Sequence, residues 1–324
     1  MWNDFVLAFQ NGFRTTMDSL KYLLSHPKLI IPTFFIKIVD IALFVWFFGF
    51  TSLGNRILDD TASFAVWQLF LIAYLMLVTV RLLEGIATMM TLSMVKQNDQ
   101  NYKMGFFKAL FETLTSSLWL ALPVILFWAL IEFIIHLIFA AISAMLNRDN
   151  KRSGKSMAQR ALDRKRRFIQ RMIKLVSLFS YPIVVWDKKP FFRAIKESFA
   201  MFKSRFGVIL TGTSFLGFLI ALMWLPPFII IMIAGYFEFL NLGIVIGLFV
   251  YMVLLWSIKY LIETLFITKI FLWYRAWQKA CDEAKEKGKG IPSLNEIPKP
   301  DLLYGYSDIL LDDQIKEAEA PEPM

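Results

Sequence analysis

Ser116–Leu146 reads SSLWLALPVILFWALIEFIIHLIFAAISAML. Over about thirty residues it carries only two ionisable side chains, Glu132 and His136. A helix rises ~1.5 Å per residue, so a run of this length crosses the ~30 Å hydrocarbon layer of a bilayer with residues to spare. Lipid offers nothing for backbone N–H and C=O groups to bond, so such a run satisfies them within itself, as a helix.

Similar runs flank it on both sides, at about 29–50, 64–95, 168–186, 207–236 and 242–274. The predicted fold is therefore all-α, a polytopic transmembrane helical bundle of about six segments. Composition agrees: 57% of the 324 residues are hydrophobic, 16% aromatic and only 19% charged. That is too little charge to cover a soluble domain of this length. The fourth run is the weakest, because Arg171 and Lys174 sit in its first turns. Two routes stay open for 116–186: two full crossings, or two segments that dip in and return. Against a dip, the third run has no glycine or proline near its middle on which to turn.

A repeat orders these segments. Gly105–Thr113, GFFKALFET, matches Pro190–Ser198, PFFRAIKES, almost residue for residue, and each leads directly into an apolar run. Phe192, Ile195, Phe199, Phe202 and Phe206 recur at helical spacing, as do Phe5, Phe9, Phe13, Met17 and Leu20 near the N-terminus. Such amphipathic stretches read as helices lying in the membrane interface. The chain is then expected to hold three units, each an interfacial helix followed by a helical hairpin. Its parts are an N-terminal interfacial helix (1–28), a transmembrane domain (29–274) with a basic insert (147–167), and a partly extended acidic tail (275–324). Residues 1–20 lack the basic start and compact apolar stretch of a cleavable signal peptide.

The formal net charge is +9, and residues 147–174 alone carry eleven Lys/Arg against two Asp. The loop at 51–63 holds only Arg56 against Asp59 and Asp60, whereas 187–206 is rich in Lys and Arg. Positive residues favour the cytoplasmic side, which predicts a cytoplasmic (inner) membrane location with the elbows and both termini inside. With six crossings the basic insert falls outside, against that bias. Arg164, Lys165, Arg166 and Arg167 are its densest part and suit anionic lipid or a protein partner. Nucleic acid is a poor fit, since the insert lacks interleaved aromatics.

Ionisable residues within the apolar runs come as close pairs: Lys37 with Asp40, Arg81 with Glu84, Glu132 with His136, and Lys259 with Glu263. Spacings of three or four put both members on one helix face. The pairs either form a polar track through the bundle or fix helix register through bonds between helices. Pro226-Pro227 interrupts the fifth run. Broken helices line binding sites in transporters and also occur as plain kinks. Gly243-x-x-x-Gly247 permits close helix packing, with Gly212 and Gly217 as further small positions.

In the tail, Leu302, Leu303, Tyr304 and Tyr306, then Ile309, Leu310 and Leu311, form apolar clusters in an otherwise acidic stretch. Free polar tails seldom carry such clusters, so they are expected to dock on a protein partner or on the chain's own cytoplasmic face. One cysteine, Cys281, and two distant histidines, His26 and His136, leave no disulfide framework and no expected metal site. No phosphate loop, nucleophile elbow or zinc-protease signature is present, so no cofactor and no enzymatic activity are expected.

Ser19–Pro32, SLKYLLSHPKLIIP, enters the first run, and Tyr181–Val185, YPIVV, precedes Pro190–Phe206. On these stretches the chain resembles an uncharacterised family of bacterial and archaeal polytopic inner-membrane proteins, defined only as a domain of unknown function. The resemblance covers roughly residues 10–275; the basic insert and the tail depart from it. It implies a six-helix membrane domain and no activity. Two functional classes remain: a non-enzymatic structural or assembly component of a membrane complex, and a transporter or lipid-handling protein that uses the buried charge pairs.

Overall fold

A computed structural model describes residues 2–51, 53–54, 57, 65–99, 105–149, 157–236, 242–288, 290–293 and 296–298. The helices are α1 (Trp2–Ser25), α2 (Ile30–Phe50), α3 (Val66–Asp99), α4 (Phe106–Glu112), α5 (Leu118–Asp149), α6 (Met157–Val185), α7 (Phe191–Ser204), α8 (Phe206–Met223), α9 (Leu225–Tyr236) and α10 (Leu242–Glu286). A 3₁₀ turn, Pro27–Leu29, joins α1 to α2, and a π turn, Thr113–Ser117, joins α4 to α5. No strand occurs among the described residues. Six stretches are long and apolar enough to cross a membrane: 27–50, 66–98, 106–146, 159–185, 206–233 and 242–286. The chain is a multi-pass, all-α membrane protein.

The repeated elbows have the same construction. Gly105 and Pro190 each hold an extended backbone just before α4 and α7 begin. The small residues Ala109 and Ala194 are buried at equivalent positions, as are Thr113 and Ser198. Phe107 and Phe192 point outward, 80% and 82% exposed. Along α7 the small face (Ala194, Ser198, Met201) packs inward while Phe192 and Phe199 stay exposed, where the acyl region of a bilayer would meet them. Each elbow folds back over the hairpin before it: Phe106 packs edge-on against Phe35 of α2, and Phe191 against Phe127 of α5.

The N-terminal copy has the same register. Phe13-Arg14-Thr15 and Asp18-Ser19 align with Phe107-Lys108-Ala109 and Glu112-Thr113. Thr15 and Ser19 are buried and Phe13 is exposed, as the alignment requires. This elbow folds over a hairpin distant in sequence, because α1 packs on α8 and α10 of the third hairpin. Hairpin one also meets hairpin two through α3 and α5, two meets three through α6 and α10, and three meets one through α10 and α2. The three units therefore close into a ring.

The fourth segment starts at Met157 rather than 168, so the basic residues from Arg160 to Arg167 form the first turns of α6. Both α5 and α6 are unbroken and antiparallel: Trp128 Nε1 donates to Ser180 Oγ at 3.2 Å, and His136 Nε2 lies 3.0 Å from Gln170 Nε2. Neither dips and returns. The basic tip consequently lies at the same end of the bundle as the tip between α2 and α3, opposite the elbows. The large buried side chains, among them Trp186, Phe179, Phe266 and Phe271, cluster toward the elbow end. Toward the tips, Phe44, Trp46, Trp67 and Ile230 are exposed, an apolar band suited to lipid.

Helices approach closely at Gly12 and Gly212, whereas a Cβ on Gly247 would meet nothing within 4 Å. A Cβ on Gly12 would sit 2.7 Å from the Gly212 nitrogen, and one on Gly212 would enter the Phe266 ring. Gly212→Ala is therefore expected to lower the thermal stability of the purified protein by about 1–3 kcal/mol, as overpacking does. Gly247→Ala should leave it unchanged or slightly raised. Equal melting temperatures for the two variants would show that Gly212 is not packed against Phe266 of α10.

Candidate functional site

Arg81 and Glu84 lie three residues apart on α3 and so share one face. That face points between α2 and α5. Glu84 accepts from Lys37 Nζ of α2 at 2.9 Å and from Arg81 at 2.6 Å. Arg81 uses its remaining edge to hold Glu132 of α5 in a two-pronged bond, Nε to Oε2 and Nη2 to Oε1, both at 2.6 Å. Asp40, one turn along α2, lies 3.5 Å from Lys37. Asp40, Lys37, Glu84, Arg81 and Glu132 are thus one chain of alternating charge joining three helices.

Tyr260 of α10 closes the arrangement from the fourth side. Its hydroxyl bonds Thr88 Oγ1 at 2.8 Å and the Glu84 carbonyl at 3.2 Å. Lys37 Nζ stands 4.7 Å from the Trp256 ring centre and 5.8 Å from that of Tyr260, within cation–π range. Lys174 of α6 faces Tyr260 at 5.0 Å and bonds Glu263 of α10 at 2.7 Å. Desolvated charges are costly unless paired and hydrogen-bonded, and each carboxylate of this group has a cation beside it. Arranged this way the charges act as a clamp.

Of the four pairs expected within single helices, two occur: Lys37 with Asp40, and Arg81 with Glu84. The other two are corrected. The Glu132 carboxylate turns to Arg81, while His136 Nδ1 bonds the Glu132 carbonyl at 2.7 Å. Glu263 turns to Lys174, and Lys259 bonds none of the described residues. Intrahelical spacing could not reveal this, because the better partner stands on a neighbouring helix.

The break at Pro226-Pro227 is a kink satisfied locally. Pro227 has no N–H for the carbonyl of Met223, four residues back. The Tyr251 hydroxyl of α10 supplies the missing donor at 2.9 Å. In the basic tip, Arg164, Lys165 and Arg167 are exposed and Arg166 is half-buried. The expected docking residues Leu302, Leu303, Tyr304, Tyr306, Ile309, Leu310 and Leu311 lie outside the described residues. The segment before them does return to the bundle: Trp277 Nε1 donates to the Pro292 carbonyl and Trp273 Nε1 to that of Ile297, each at 3.0 Å.

A second polar cluster escaped the sequence reading. Between α6 and α7, Asp187 pairs with Arg275 of α10, which also bonds Glu197 at 2.7 Å; Lys189 bonds Glu197 at 2.8 Å. Asp187 and Arg275 are too distant in sequence for any local pattern to link them. Burial pushes the Asp187 carboxyl up to about 6, against the pull of Arg275 and Lys189. Glu197, by contrast, is held below its ordinary range: burial raises it, but the hydrogen bond from Lys189 and the charge of Arg275 outweigh that.

No family model matches the chain, and no curated protein or solved structure matches it.

Removing one partner of a buried pair leaves the other charge stranded, so Arg81→Met is expected to cost about 3 kcal/mol or more, read by thermal unfolding. Combining it with Glu132→Gln should cost less than the sum of the two single changes; strict additivity would remove the bond between them. At Asp187 the folded carboxyl keeps its proton up to about 6 and the unfolded one only to 3.8. Its contribution to stability is therefore fully present below 3.8 and lost as pH rises through about 6. Asp187→Asn should flatten that part of the stability–pH curve; an unchanged slope would argue against a buried carboxyl there.

Proposed function

We propose that the chain is a non-enzymatic structural or assembly component of a complex in the cytoplasmic membrane. The reading is carried by the ion-pair chain: Glu84 and Glu132 are each engaged by a cation from a neighbouring helix, which suits holding the bundle rather than passing ions or protons along it. A relay needs groups that exchange partners, and the two-pronged Arg81–Glu132 bond is a poor candidate for exchange. Both termini and the elbows face the cytoplasm in this reading, supported by the basic residues of the elbow region, such as Lys188, Lys189, Arg193 and Lys196. Membership of the uncharacterised family of polytopic inner-membrane proteins is part of the same proposal.

The tail supplies the partner surface. The two indole bonds hold residues 292 and 297 against α10. They start the acidic stretch with its Leu302–Tyr306 and Ile309–Leu311 clusters from a defined point. Truncation after Gly290 should reduce the set of proteins that co-purify in mild detergent while the membrane domain keeps its thermal stability. Identical co-purification with and without the tail would remove the partner-binding role. An Asp40→Asn, Glu132→Gln double variant separates the two classes: lost assembly supports the scaffold, whereas lost transport with normal folding and assembly replaces it by a transporter.

A further inference from the structure

Between α2, α8, α9 and α10 lies a cavity of about 620 Å³ whose lining is almost wholly apolar. A second, of about 290 Å³, lies between α9 and α10 and shares Pro227 and Leu248 with the first. Beyond the Pro226-Pro227 kink the two helices of the third hairpin therefore stand apart. Trp224, Ile231, Phe249 and Trp256 line the larger cavity and are also exposed, so it is a groove that opens sideways from the bundle. Lys259 is the charged residue in its lining.

The depth of Lys259 is the telling feature. Lys269, which bonds Asp18 of the first elbow, marks the elbow level of α10. Lys259 stands ten residues further in, ~15 Å at the helical rise, about half of a ~30 Å hydrocarbon layer. From there the groove runs toward the tips as far as Leu248. A lysine side chain is too short to carry its ammonium from that depth to either interface. The other ions in this part of the bundle are engaged: Asp40 by Lys37, Glu263 by Lys174, Glu84 and Glu132 by Arg81, and Arg171 by the Thr213 carbonyl. Five cations thus stand with four carboxylates, and Lys259 bonds none of the described residues. An unpaired cation at this depth is costly, and ions inside a membrane pair with one another.

We infer that the groove is the docking site for a spanning helix of another protein, one that places an aspartate or glutamate beside Lys259 at the middle of the membrane. The inference rests on the reading of the chain as an assembly component and names a partner surface within the bilayer. A phospholipid keeps its phosphate at the interface and brings no charge to this level. A second copy brings no free carboxylate either, since its own acids here are engaged, and across a two-fold axis its Lys259 would meet the first, like charge on like. A spanning helix carries a carboxylate to mid-membrane with its backbone bonds satisfied, and its apolar side covers the exposed Phe249 and Trp256.

The probe is a synthetic Leu/Ala helix of about 22 residues with one glutamate at its centre. It is reconstituted with the full-length protein in phosphatidylcholine nanodiscs, and association is read by energy transfer to a dye on the protein's C-terminus. The wild type should prefer this peptide to its central-glutamine twin about tenfold, the order of one polar bond between helices in hydrocarbon. Lys259→Gln should remove the preference, Lys259→Arg should keep it, and Lys259→Glu should favour a central-lysine peptide instead. Moving the peptide's glutamate to its first turn should abolish the preference. Lys259→Met should leave the thermal stability of the protein alone unchanged or raised, because its partner is outside the chain; a clear loss would place that partner inside and overturn the inference. Equal association of the two peptides with the wild type overturns it, and so does a preference that survives Lys259→Gln. A dimer through this face, or oleate retained there in place of the peptide, would overturn it in favour of a second copy or a fatty acid. Proteins that co-purify equally with the wild type and Lys259→Gln, alongside an absent peptide preference, strike this site alone and leave the assembly role standing; no co-purifying protein at all strikes that role itself.

Discussion

Glu84 takes Lys37 from one neighbouring helix and Arg81 from its own, and through Arg81 it reaches Glu132 on another. In hydrocarbon, helices gain nothing from the hydrophobic effect by touching each other, since lipid tails are as apolar as leucine. Packing and polar bonds must do that work. A chain of alternating charge does it with direction, because each link is satisfied at only one rotation of the helix that carries it. Once α2, α3 and α5 are turned to face one another, Tyr260 has one place to sit, and α10 follows. The kink at Pro226-Pro227 is tolerated in the same frame, because Tyr251 on α10 reaches the stranded carbonyl.

The elbows do a different job with plainer means. Each buries two small residues, an alanine or threonine and then a serine or threonine, and leaves a phenylalanine outside. Small residues allow the elbow to lie close over the preceding hairpin, and the aromatic ring marks the level of the interface. Their acids reach inward to different partners: Asp18 to Lys269 at 2.6 Å, Glu112 to Ser93, and Glu197 to Arg275. One local design, used three times, serves as three separate latches.

The fold was readable because bilayer thickness converts directly into run length, and because each run holds its own backbone bonds. The fourth helix was read too short for a physical reason: apolarity marks the part of a helix that lipid must cover, and α6 continues for another eleven residues with a basic, water-compatible surface. The charged site was half legible. Lys37, Asp40, Arg81, Glu84 and Glu132 were visible as ions in apolar surroundings, but spacing reports only neighbours on one helix. That is why spacing matches Glu132 to His136 instead of Arg81, and why it shows neither the Lys174–Glu263 bond, nor Tyr260, nor the Asp187–Arg275 pair. The N-terminal elbow is the diverged copy, with Gly12 and Thr16 where the second has Phe106 and Leu110, while its Phe-Arg-small and acid-hydroxyl frame survives.

Ring closure carries a consequence for biosynthesis. The helix α1 has its partners in a hairpin made much later: Asp18 and Lys269 are separated by 251 positions, and Thr16 meets Gly212 across 196. Chain synthesis proceeds from the N-terminus, so α1 emerges long before anything exists for Gly12 and Ser19 to pack against. It must wait at the membrane surface, where its amphipathic character gives it a stable resting place, while four crossings are laid down. Contacts of such long separation form slowly, which makes the docking of α1 the closing event of assembly.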